Sequence, residues 1–535
     1  MYNKNSRIEK DFSYRIQKGS EEVVSHIKTA TIVGIDGYNI DVEVDTSASL
    51  PNIVIVGLPD AAVSEAKERV KAAIKNCGHS FPAKKVIINL APADIKKEGS
   101  GFDLPMAIGI LACEGIIDIE KTKDFAFLGE LSLDGNLRAI NGVLPVAIEL
   151  QSQGIKKFVV AKENALEAAL VDGVEVFPAD FLGDVINMFA PESTEAETIK
   201  PFKIDIKDFL DKNQERENIF DFKDVKGQQK AKRALELAAA GGHNVLMSGS
   251  PGSGKTLLAK CFAGILPPLE LSEALELTKI YSISGLLNRN EPLVSDRPFR
   301  SPHHSASPAG IIGGGSNPKP GEITLAHNGV LFLDEVVEFP RQVLEVLRQP
   351  LEDGKVTISR AQTSVQYPAD FMLLAAMNPC PCGFLGDTEK QCVCSPNQAQ
   401  RYWARLSGPL LDRIDIQIEV PRLTQNELMN KADSAESSND IRGRIIKART
   451  AQAKRFAKDN IVCNSQMTPK LIKKYCKLTA DCEEMLKNAI TRFNLSGRAF
   501  DRLLKLSRTI ADIEQSDEIK INHIAEALQY RDIKR

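Results

Sequence analysis

The sequence predicts an α/β protein with a helical C-terminal part, and three observations support this prediction. In the N-terminal third, short apolar runs alternate with amphipathic helical segments. Near the middle, a glycine-rich motif typical of phosphate binding joins an apolar strand to an apolar helix. After about residue 426, helical periodicity dominates. We therefore expect an α+β domain, a parallel-sheet core and a helical C-terminal domain.

The chain divides into five predicted segments. The first 25 residues are polar and charged, which is typical of a flexible tail and not of a signal peptide. Runs such as NIVIVGL and the helical pattern AAVSEAKERVKAAIKNCG predict an α+β domain from 26 to 190. A mostly polar and charged stretch predicts a linker. The remaining boundaries are 191–217 for this linker, 218–425 for a second α/β domain and 426–535 for a helical lid.

Composition excludes several classes of protein. Of the 535 residues, 43% are hydrophobic and 26% are charged, as in ordinary globular domains. The net charge of −3 rules out a polycation, so a nucleic-acid surface would have to be a local patch. No apolar run is long enough to span a bilayer. Six of the ten cysteines are scattered, and we expect them to be free thiols in a reducing, cytoplasmic setting.

The strongest motif is GSPGSGKT, which fits G-x-x-x-x-G-K-[ST] between the apolar strand 245–247 and an apolar helix. Its glycines let backbone N–H groups surround phosphate oxygens, and the helix N-terminus adds partial positive charge. We expect Lys255 to contact the β- and γ-phosphates of ATP and Thr256 to ligand Mg²⁺. The predicted nucleotide-binding residues are Gly249, Ser250, Pro251, Gly252, Ser253, Gly254, Lys255, Thr256 and Asp334.

Two further strands end in polar residues. GVLFLDE places Asp334 and Glu335 after four apolar residues, at the strand end where ligands bind in open α/β sheets. Asp334 is predicted to hold Mg²⁺, directly or through water, and Glu335 to polarise the attacking water as general base. The strand FMLLAAMNP ends at Asn378, whose amide can orient that water or touch the γ-phosphate.

Late arginines complete a catalytic set. Arg413, in RLSGPLLDRIDIQIEVP, follows a short apolar helix and precedes a strand, which suits a finger that reaches a neighbouring subunit's γ-phosphate. Arg405 is the second candidate for this role. Arg498 begins a helix, a suitable position for sensing nucleotide from the lid.

With these motifs in this order, the chain resembles the AAA+ ATPases, and within them the magnesium-chelatase-like ComM/YifB family. The segments FRSPHHSASPAGIIGGGSNPKPGEITLAHNGVLFLDE and RYWARLSGPLLDRIDI carry the closest likeness. In that family, Arg413 matches the finger, Asn378 the first sensor and Arg498 the second. The resemblance covers nearly the whole chain from about residue 26.

The resemblance implies a homo-hexameric ring that uses ATP to move branched or forked DNA. Such a ring would act in branch migration or as a helicase, supporting recombination during natural transformation. DNA and recombination proteins would then be its partners, and no membrane is involved. The alternative is a chelatase-type chaperone that remodels a protein partner without DNA.

The N-terminal domain has a resemblance of its own. KKEGSGFDLPMAIGIL and LGELSLDGNLRAINGVLPVAIEL resemble the proteolytic domain of Lon proteases. When the glycines are aligned, Gly101 occupies the position of that family's nucleophilic serine and Leu144 that of its lysine; Ser100 is one residue out of place. A Ser–Lys pair needs both members. We therefore predict an inactive protease fold, which argues against a third hypothesis, an active ATP-dependent protease.

Several loops and one helix are candidate DNA contacts. The basic, glycine-rich loops around RPFRSPHHS and GIIGGGSNPKPG would face a central pore by analogy with the family. Within them, His303 and His304 are adjacent, a spacing that suits one metal ion poorly. Arg360, in a hairpin-like stretch, is a further candidate. The segment 441–458 carries seven basic residues and no acid; it would either bind phosphate backbone or form a solvated helix face.

Four cysteines in NPCPCGFLGDTEKQCVC form two C-x-C pairs: Cys380, Cys382, Cys392 and Cys394. In extended backbone, residues i and i+2 point to the same face, so each pair can aim two thiolates at one point. Four thiolates suit a structural, tetrahedral Zn²⁺ site. Disulfides and uncoordinated thiols remain the alternatives. Because the segment lies between Asn378 and Arg413, we expect it to stiffen the path from the nucleotide to the subunit interface.

Overall fold

The computed structural model describes residues 24–193, 199–206, 219–315, 318–359, 364–387, 389–424, 436–493 and 496–531. The chain forms two compact units. The first comprises Met1–Phe209 with Tyr281–Leu293, and the second comprises Leu210–Ile280 with Val294–Arg535. The segment 281–293, which the sequence places in the second domain, therefore groups with the first unit. Residues 1–23 of the predicted tail and 194–198 and 207–217 of the predicted linker lie outside the described residues.

The first unit is built on a mixed seven-stranded sheet. Its order is β3-β4-β2-β1-β5-β8-β9, and β6 pairs with β7 in a separate short hairpin. Strands β1, β2 and β4 pair antiparallel, whereas β5, β8 and β9 run parallel to one another. The strands are β1 Ser25–Val33, β2 Asp36–Ser47, β3 Asn52–Val56, β4 Lys85–Ala91, β5 Phe125–Leu128, β6 Glu130–Leu131, β7 Leu137–Arg138, β8 Lys157–Ala161 and β9 Glu175–Ala179.

Helices pack on this sheet and supply half of the residues in its hydrophobic core. Asp60 caps the first of them, because its carboxylate accepts the N–H of Val63 at 2.8 Å. Almost every residue of Asp103–Cys113 is buried, which explains why this helix is apolar on all sides. The helices are Ala61–Asn76, Asp103–Cys113, Ile119–Thr122, Val143–Ser152, Ala165–Ala168 and Leu182–Phe189.

The second unit contains a parallel sheet with the order β11-β14-β17-β10-β18. The four residues of β10 and of β14 are all buried, which accounts for their continuous apolar sequence. The strands are β10 Val245–Ser248, β11 Phe299–Arg300, β12 Gly313–Gly314, β13 Lys319–Pro320, β14 Val330–Leu333, β15 Lys355–Ser359, β16 Ser364–Pro368, β17 Met372–Met377 and β18 Ile416–Glu419. Of these, β12 with β13 and β15 with β16 form two antiparallel hairpins.

The C-terminal helices share one hydrophobic core with this sheet. Ser437 and Asp440 form a capping box at the start of Ser438–Phe456. Within the described ranges, every helix is too short or too polar to cross a lipid bilayer. The helices after residue 218 are Gln229–Gly241, Lys255–Ile265, Leu271–Ile283, Pro308–Ile312, Glu322–Leu325, Arg341–Val346, Pro350–Asp353, Pro396–Trp403, Gly408–Leu411, Ser438–Phe456, Pro469–Tyr475, Ala480–Phe493, Gly497–Ile513 and Ile521–Gln529.

A buried ion pair ties the first unit together. The carboxylate of Asp103 is fully buried and accepts two N–H groups of Arg69, at 2.7 and 3.0 Å, and the N–H of Leu131 at 3.1 Å. Burial raises the pKa of Asp103 to about 6, against the opposing effect of Arg69. Since the folded-state pKa is raised, this group favours the folded state at low pH, and that contribution is lost as the pH rises through about 6.

We expect Arg69→Met to destabilise the first unit by about 3 kcal/mol at pH 8, because it leaves a buried carboxylate unpaired. At pH 5 the loss will be smaller, because Asp103 can then take up a proton. Hydrogen exchange followed by mass spectrometry in urea would measure this on peptides of the first unit alone. Lys84→Met, which removes an exposed ion pair with Glu114, is the control and should cost about 0.5 kcal/mol or less. Equal losses at the two pH values would contradict the account.

Candidate nucleotide site and four-cysteine cluster

The predicted phosphate loop follows β10 and leads into the helix Lys255–Ile265. Gly252 and Gly254 have φ angles of +80° and +92°, which glycine adopts without strain. At Gly249, an ideal Cβ would lie 2.2 Å from the carbonyl oxygen of Val420. All three positions therefore require glycine, and the resulting loop presents its backbone at the N-terminus of a helix, as an anion site does.

Lys255 lies folded over this loop. Its Nζ donates to the carbonyl oxygens of Gly249, at 2.6 Å, and Ser250, at 3.0 Å. Burial lowers the pKa of Lys255, while the carboxylates of Asp334 and Glu335 act in the opposite direction. The ammonium group is thus buried beside two acidic side chains. This is the position from which a phosphate-loop lysine contacts the β- and γ-phosphates.

Thr256 and Asp334 are brought together although they are far apart in the chain. The hydroxyl of Thr256 donates to Oδ2 of Asp334 at 2.8 Å. A hydroxyl and a carboxylate are the hard oxygen ligands that Mg²⁺ prefers, and both side chains reach solvent here. These two residues therefore fit a magnesium site beside the phosphate loop.

Glu335 adopts a left-handed backbone conformation, with φ +50°. Such a conformation is uncommon outside glycine and asparagine and is often kept at functional sites. The Glu335 carboxylate is largely exposed, and its Oε2 lies 3.7 Å from Nδ1 of His304. The ring of His304 in turn lies 4.0 Å, centroid to centroid, from that of His303.

His304 is a residue of this site that sequence reasoning missed. The sequence suggested a poor metal pair or a pore loop for these histidines, and no motif linked them to Glu335. The contact arises because β11 and β14 are neighbours in the sheet, so the loop after β11 reaches the end of β14. The sequence therefore gave no indication that His304 and Glu335 are in contact.

Asn378 follows β17, which lies between β10 and β14 in the sheet. Its Oδ1 lies 3.5 Å from Nζ of Lys255. The phosphate-loop lysine, the acidic pair and this amide therefore meet at one edge of the sheet, where the sequence predicts the site.

The two predicted trans-acting and sensing arginines meet elsewhere, at Glu352. Arg413 is almost fully buried and pairs with the Glu352 carboxylate, while it also donates to the carbonyl oxygen of Pro409 at 2.8 Å. Arg498 is largely exposed and lies 3.9 Å from the same carboxylate. Arg405, the second finger candidate, pairs with Glu338 at 3.1 Å. Glu352 had no motif to mark it in the sequence.

The four cysteines of the C-x-C pairs converge on one point. The Sγ atoms of Cys380, Cys382 and Cys392 are 3.3 to 3.6 Å apart, and all four, including Cys394, lie within 4.8 Å of one another. Four sulfurs bound to zinc at about 2.3 Å in a tetrahedron are about 3.8 Å apart, so the spacing fits this ion. No disulfide joins any of the ten cysteines, and across the described ranges no second group of this kind is found.

Most of the basic side chains in the segment 441–458 have partners within the second unit. Arg442 donates to the carbonyl oxygen of Gly264, Arg449 to that of Ala239, and Arg444 and Arg455 pair with carboxylates of the same unit. The exposed basic side chains of this segment are Lys447, Lys454 and Lys458. Four of its seven cations thus fasten the helix to the second unit, and the three exposed lysines remain for the predicted phosphate contact or for a solvated face.

Comparison with known proteins gives a consistent result. The family model "Magnesium chelatase, subunit ChlI" matches residues 221–428, the model of its C-terminal part matches 435–531, and "Subunit ChlI of Mg-chelatase" matches 42–164. Competence protein ComM of Haemophilus influenzae is 44% identical over 94% of this chain and 96% of its own length. The Escherichia coli protein YifB is 43% identical over 96% of this chain and 98% of its own.

The chain belongs to the ComM/YifB family of magnesium-chelatase-like AAA+ proteins. Membership confirms the predicted family and implies an ATPase that uses ATP and Mg²⁺. Lon protease 2 of Bacillus subtilis is 30% identical over 181 residues, 30% of this chain and 33% of its own, which agrees with the predicted Lon-like likeness. The α/β fold class with a helical C-terminal part is likewise confirmed.

We expect Asp334→Asn to weaken Mg²⁺-dependent ATP binding about tenfold, because it removes the charged oxygen ligand beside Thr256. ATP binding in EDTA should change little, since the phosphate loop is untouched. Isothermal titration in the two buffers would measure both quantities. Asp481→Asn, at an exposed position on the helix Ala480–Phe493, is the matched control. Equal weakening with and without Mg²⁺ would show that Asp334 acts on the loop and not through the metal.

Proposed function

We propose that the protein is an ATP-driven motor that moves branched or forked DNA as a homo-hexamer, in support of homologous recombination during natural transformation. The proposal rests on one observation above the others: likeness to a competence protein extends over 94% of the chain, through both units, and the ATP site is assembled within it. A cytoplasmic location and recombination proteins as partners follow from the same proposal.

In this proposal each side chain at the edge of the sheet has its own role in ATP hydrolysis. Lys255 and Thr256 hold the nucleotide and its metal, and Glu335 takes the proton of the attacking water as general base. Asn378 orients that water. Arg413 leaves Glu352 and stabilises the transition state in the neighbouring subunit, where its guanidinium would contact the γ-phosphate.

Two hairpins supply a surface for DNA. The hairpin β12–β13 packs on the hairpin β15–β16, since the hydroxyl of Tyr367 donates to the carbonyl oxygen of Pro318 at 2.7 Å. In β15 and β16, buried apolar residues alternate with exposed polar ones, so that Lys355, Thr357 and Gln366 face outward. Polar and basic side chains of this kind suit contact with the phosphate backbone. Arg360 lies outside the described residues.

A second candidate function is remodelling of a protein partner without DNA. The matches to the magnesium chelatase subunit models favour it, because they cover both the ATPase core and the C-terminal helices. The two functions share the ATP site and differ in what the hairpins touch.

We also propose that the first unit is not a protease. Gly101 offers no hydroxyl, and Leu144 is fully buried with its N–H donated to Glu167 at 2.8 Å. The hydroxyl of Ser100 donates a hydrogen bond to the carboxylate of Glu130. Neither a nucleophile nor a lysine base therefore stands where a Lon-type mechanism needs them.

We expect forked DNA to stimulate ATP hydrolysis several-fold in the purified protein, because a motor couples hydrolysis to movement on its track. The Glu335→Gln variant should bind ATP normally and lose about 10² or more of the rate, fork or no fork. Phosphate release with forked, single-stranded and no DNA would measure this. Hydrolysis that is indifferent to every DNA would favour the protein-remodelling function instead.

Mixing two inactive variants tests the proposed trans action of Arg413. Arg413→Ala and Lys255→Ala should each lose ATP hydrolysis when assayed alone. Mixed oligomers should recover part of it, because the intact phosphate loop of one variant then meets the intact arginine of the other. Arg405→Ala with Lys255→Ala is the parallel test of the second finger candidate. If mixing Arg413→Ala with Lys255→Ala restores no hydrolysis, Arg413 does not act across subunits.

A further inference from the structure

The segment Cys380–Cys394, here called the cysteine knuckle, lies directly against the phosphate loop. Gly383, in the turn after the first C-x-C pair, has φ +86° and is buried. An ideal Cβ at Gly383 would lie 2.7 Å from Cδ and 2.8 Å from Cγ of Pro251. The turn of the knuckle and the tip of the phosphate loop are therefore packed without space for one further carbon atom.

A second contact joins the same two segments. Oδ1 of Asp387 accepts the N–H groups of Glu389 and Lys390 at 2.9 and 3.0 Å, and the carboxylate lies near the hydroxyl of Ser250, which is buried in the phosphate loop. Together these contacts lower the pKa of Asp387 to about 2. Asp387 and Gly383 thus touch neighbouring residues of the loop.

The base of the knuckle is also anchored. Cys380 is fully buried and lies two residues after Asn378. The amide oxygen of Asn378 is 3.5 Å from Nζ of Lys255. The carbonyl oxygen of Pro379 accepts the indole N–H of Trp403 at 3.0 Å. The chain contains one tryptophan, so its fluorescence reports on this place alone.

Apart from the packing of Gly383 and the hydrogen bonds of Asp387, short-range contacts hold the knuckle: two turn hydrogen bonds, Lys390 over the ring of Phe384, and an ion pair of Glu389 with Arg422. Between its two C-x-C pairs it contains no helix or strand within the described residues, and Leu385 and Val393 are exposed. A loop without regular secondary structure is stiffened by a cross-link, and four thiolates on one zinc ion would provide one, as in small metal-dependent domains.

We propose that the knuckle binds one Zn²⁺ through Cys380, Cys382, Cys392 and Cys394, and that the metal-held knuckle braces the phosphate loop in its ATP-binding conformation. On binding, each thiol gives up its proton and the ion accepts four sulfur ligands, so no oxidant or reductant is needed. The site is closed and structural; it takes no part in hydrolysis. Loss of the metal releases Gly383 and Asp387 from the loop and weakens ATP binding.

The first part of the test is the metal itself. Elemental analysis of the full-length protein should find one zinc per chain. A mercurial reagent should release the zinc from its thiolates, and the released zinc can then be removed by gel filtration. The treated protein should show a changed emission of Trp403 and should bind a fluorescent ATP analogue about tenfold more weakly. Reduction with added Zn²⁺ should restore both signals. Protein without zinc, or with ATP affinity unchanged after release, would overturn the proposal.

Variants separate the brace from the metal. Cys392→Ser should lose the zinc and raise the Kd of the ATP analogue, whereas Cys77→Ser, at a cysteine of the first unit, should do neither. Gly383→Ala should keep the zinc and still raise the Kd, because its methyl group displaces Pro251. Asp387→Asn is a milder change with the same expected direction. Wild-type affinity in both zinc-loaded variants would refute the brace.

The inference rests on the proposed ATPase, and the same assay distinguishes their failures. If the wild-type protein does not bind the analogue, the proposed function itself fails. If the wild-type protein binds and Lys255→Ala does not, while the zinc-loaded knuckle variants bind normally, only the brace fails.

Discussion

The parallel pairing of β10 with β17 and of β17 with β14 is the constraint on which the nucleotide site depends. Ser248 stands opposite Met377, and Leu333 opposite Ala375, so the three strands end at one edge of the sheet. The phosphate loop, Asn378 and the acidic pair follow those ends directly. Because the strands are buried on both faces, a slip of one residue would move polar groups into the core, and the register is therefore strongly determined.

A second set of buried charges connects this sheet to the C-terminal helices. Asp415 is almost fully buried; burial alone would raise its pKa, but Arg502, at 3.1 Å, and His243, at 3.4 Å, hold it below its usual range. Asp415 lies two residues after Arg413, and Arg502 lies one helical turn after Arg498. Glu352 binds the two outer arginines of this set. The proposed finger and sensor thus each lie a short distance along the chain from the buried pair of Asp415 and Arg502.

Much of the nucleotide site was predictable because its signals are local. In GSPGSGKT the glycines, the lysine and the threonine act within eight residues, and a strand and a helix flank them as the motif requires. The C-x-C pairs were also legible, since each brings its own two thiols to one side. The contacts of the basic helix were not predictable, because the sequence shows which residues are charged but not which groups they pair with. Its arginines pair with Glu236, Glu436 and Asp512 and donate hydrogen bonds to carbonyl oxygens. The contact of His304 with Glu335 was equally hidden, for it depends on which strands are neighbours.

By itself, the sequence determined the α/β class, the phosphate loop, the acidic pair and the family, since each depends on residue type at short, fixed spacing. Only the tertiary structure decided which distant groups meet: Thr256 with Asp334, Arg413 and Arg498 with Glu352, and the cysteine knuckle with Pro251 and Ser250. The reason is physical. Local patterns set the conformation of each segment, whereas contacts between segments follow from strand order and from packing in a shared core, to which residues hundreds of positions apart contribute together.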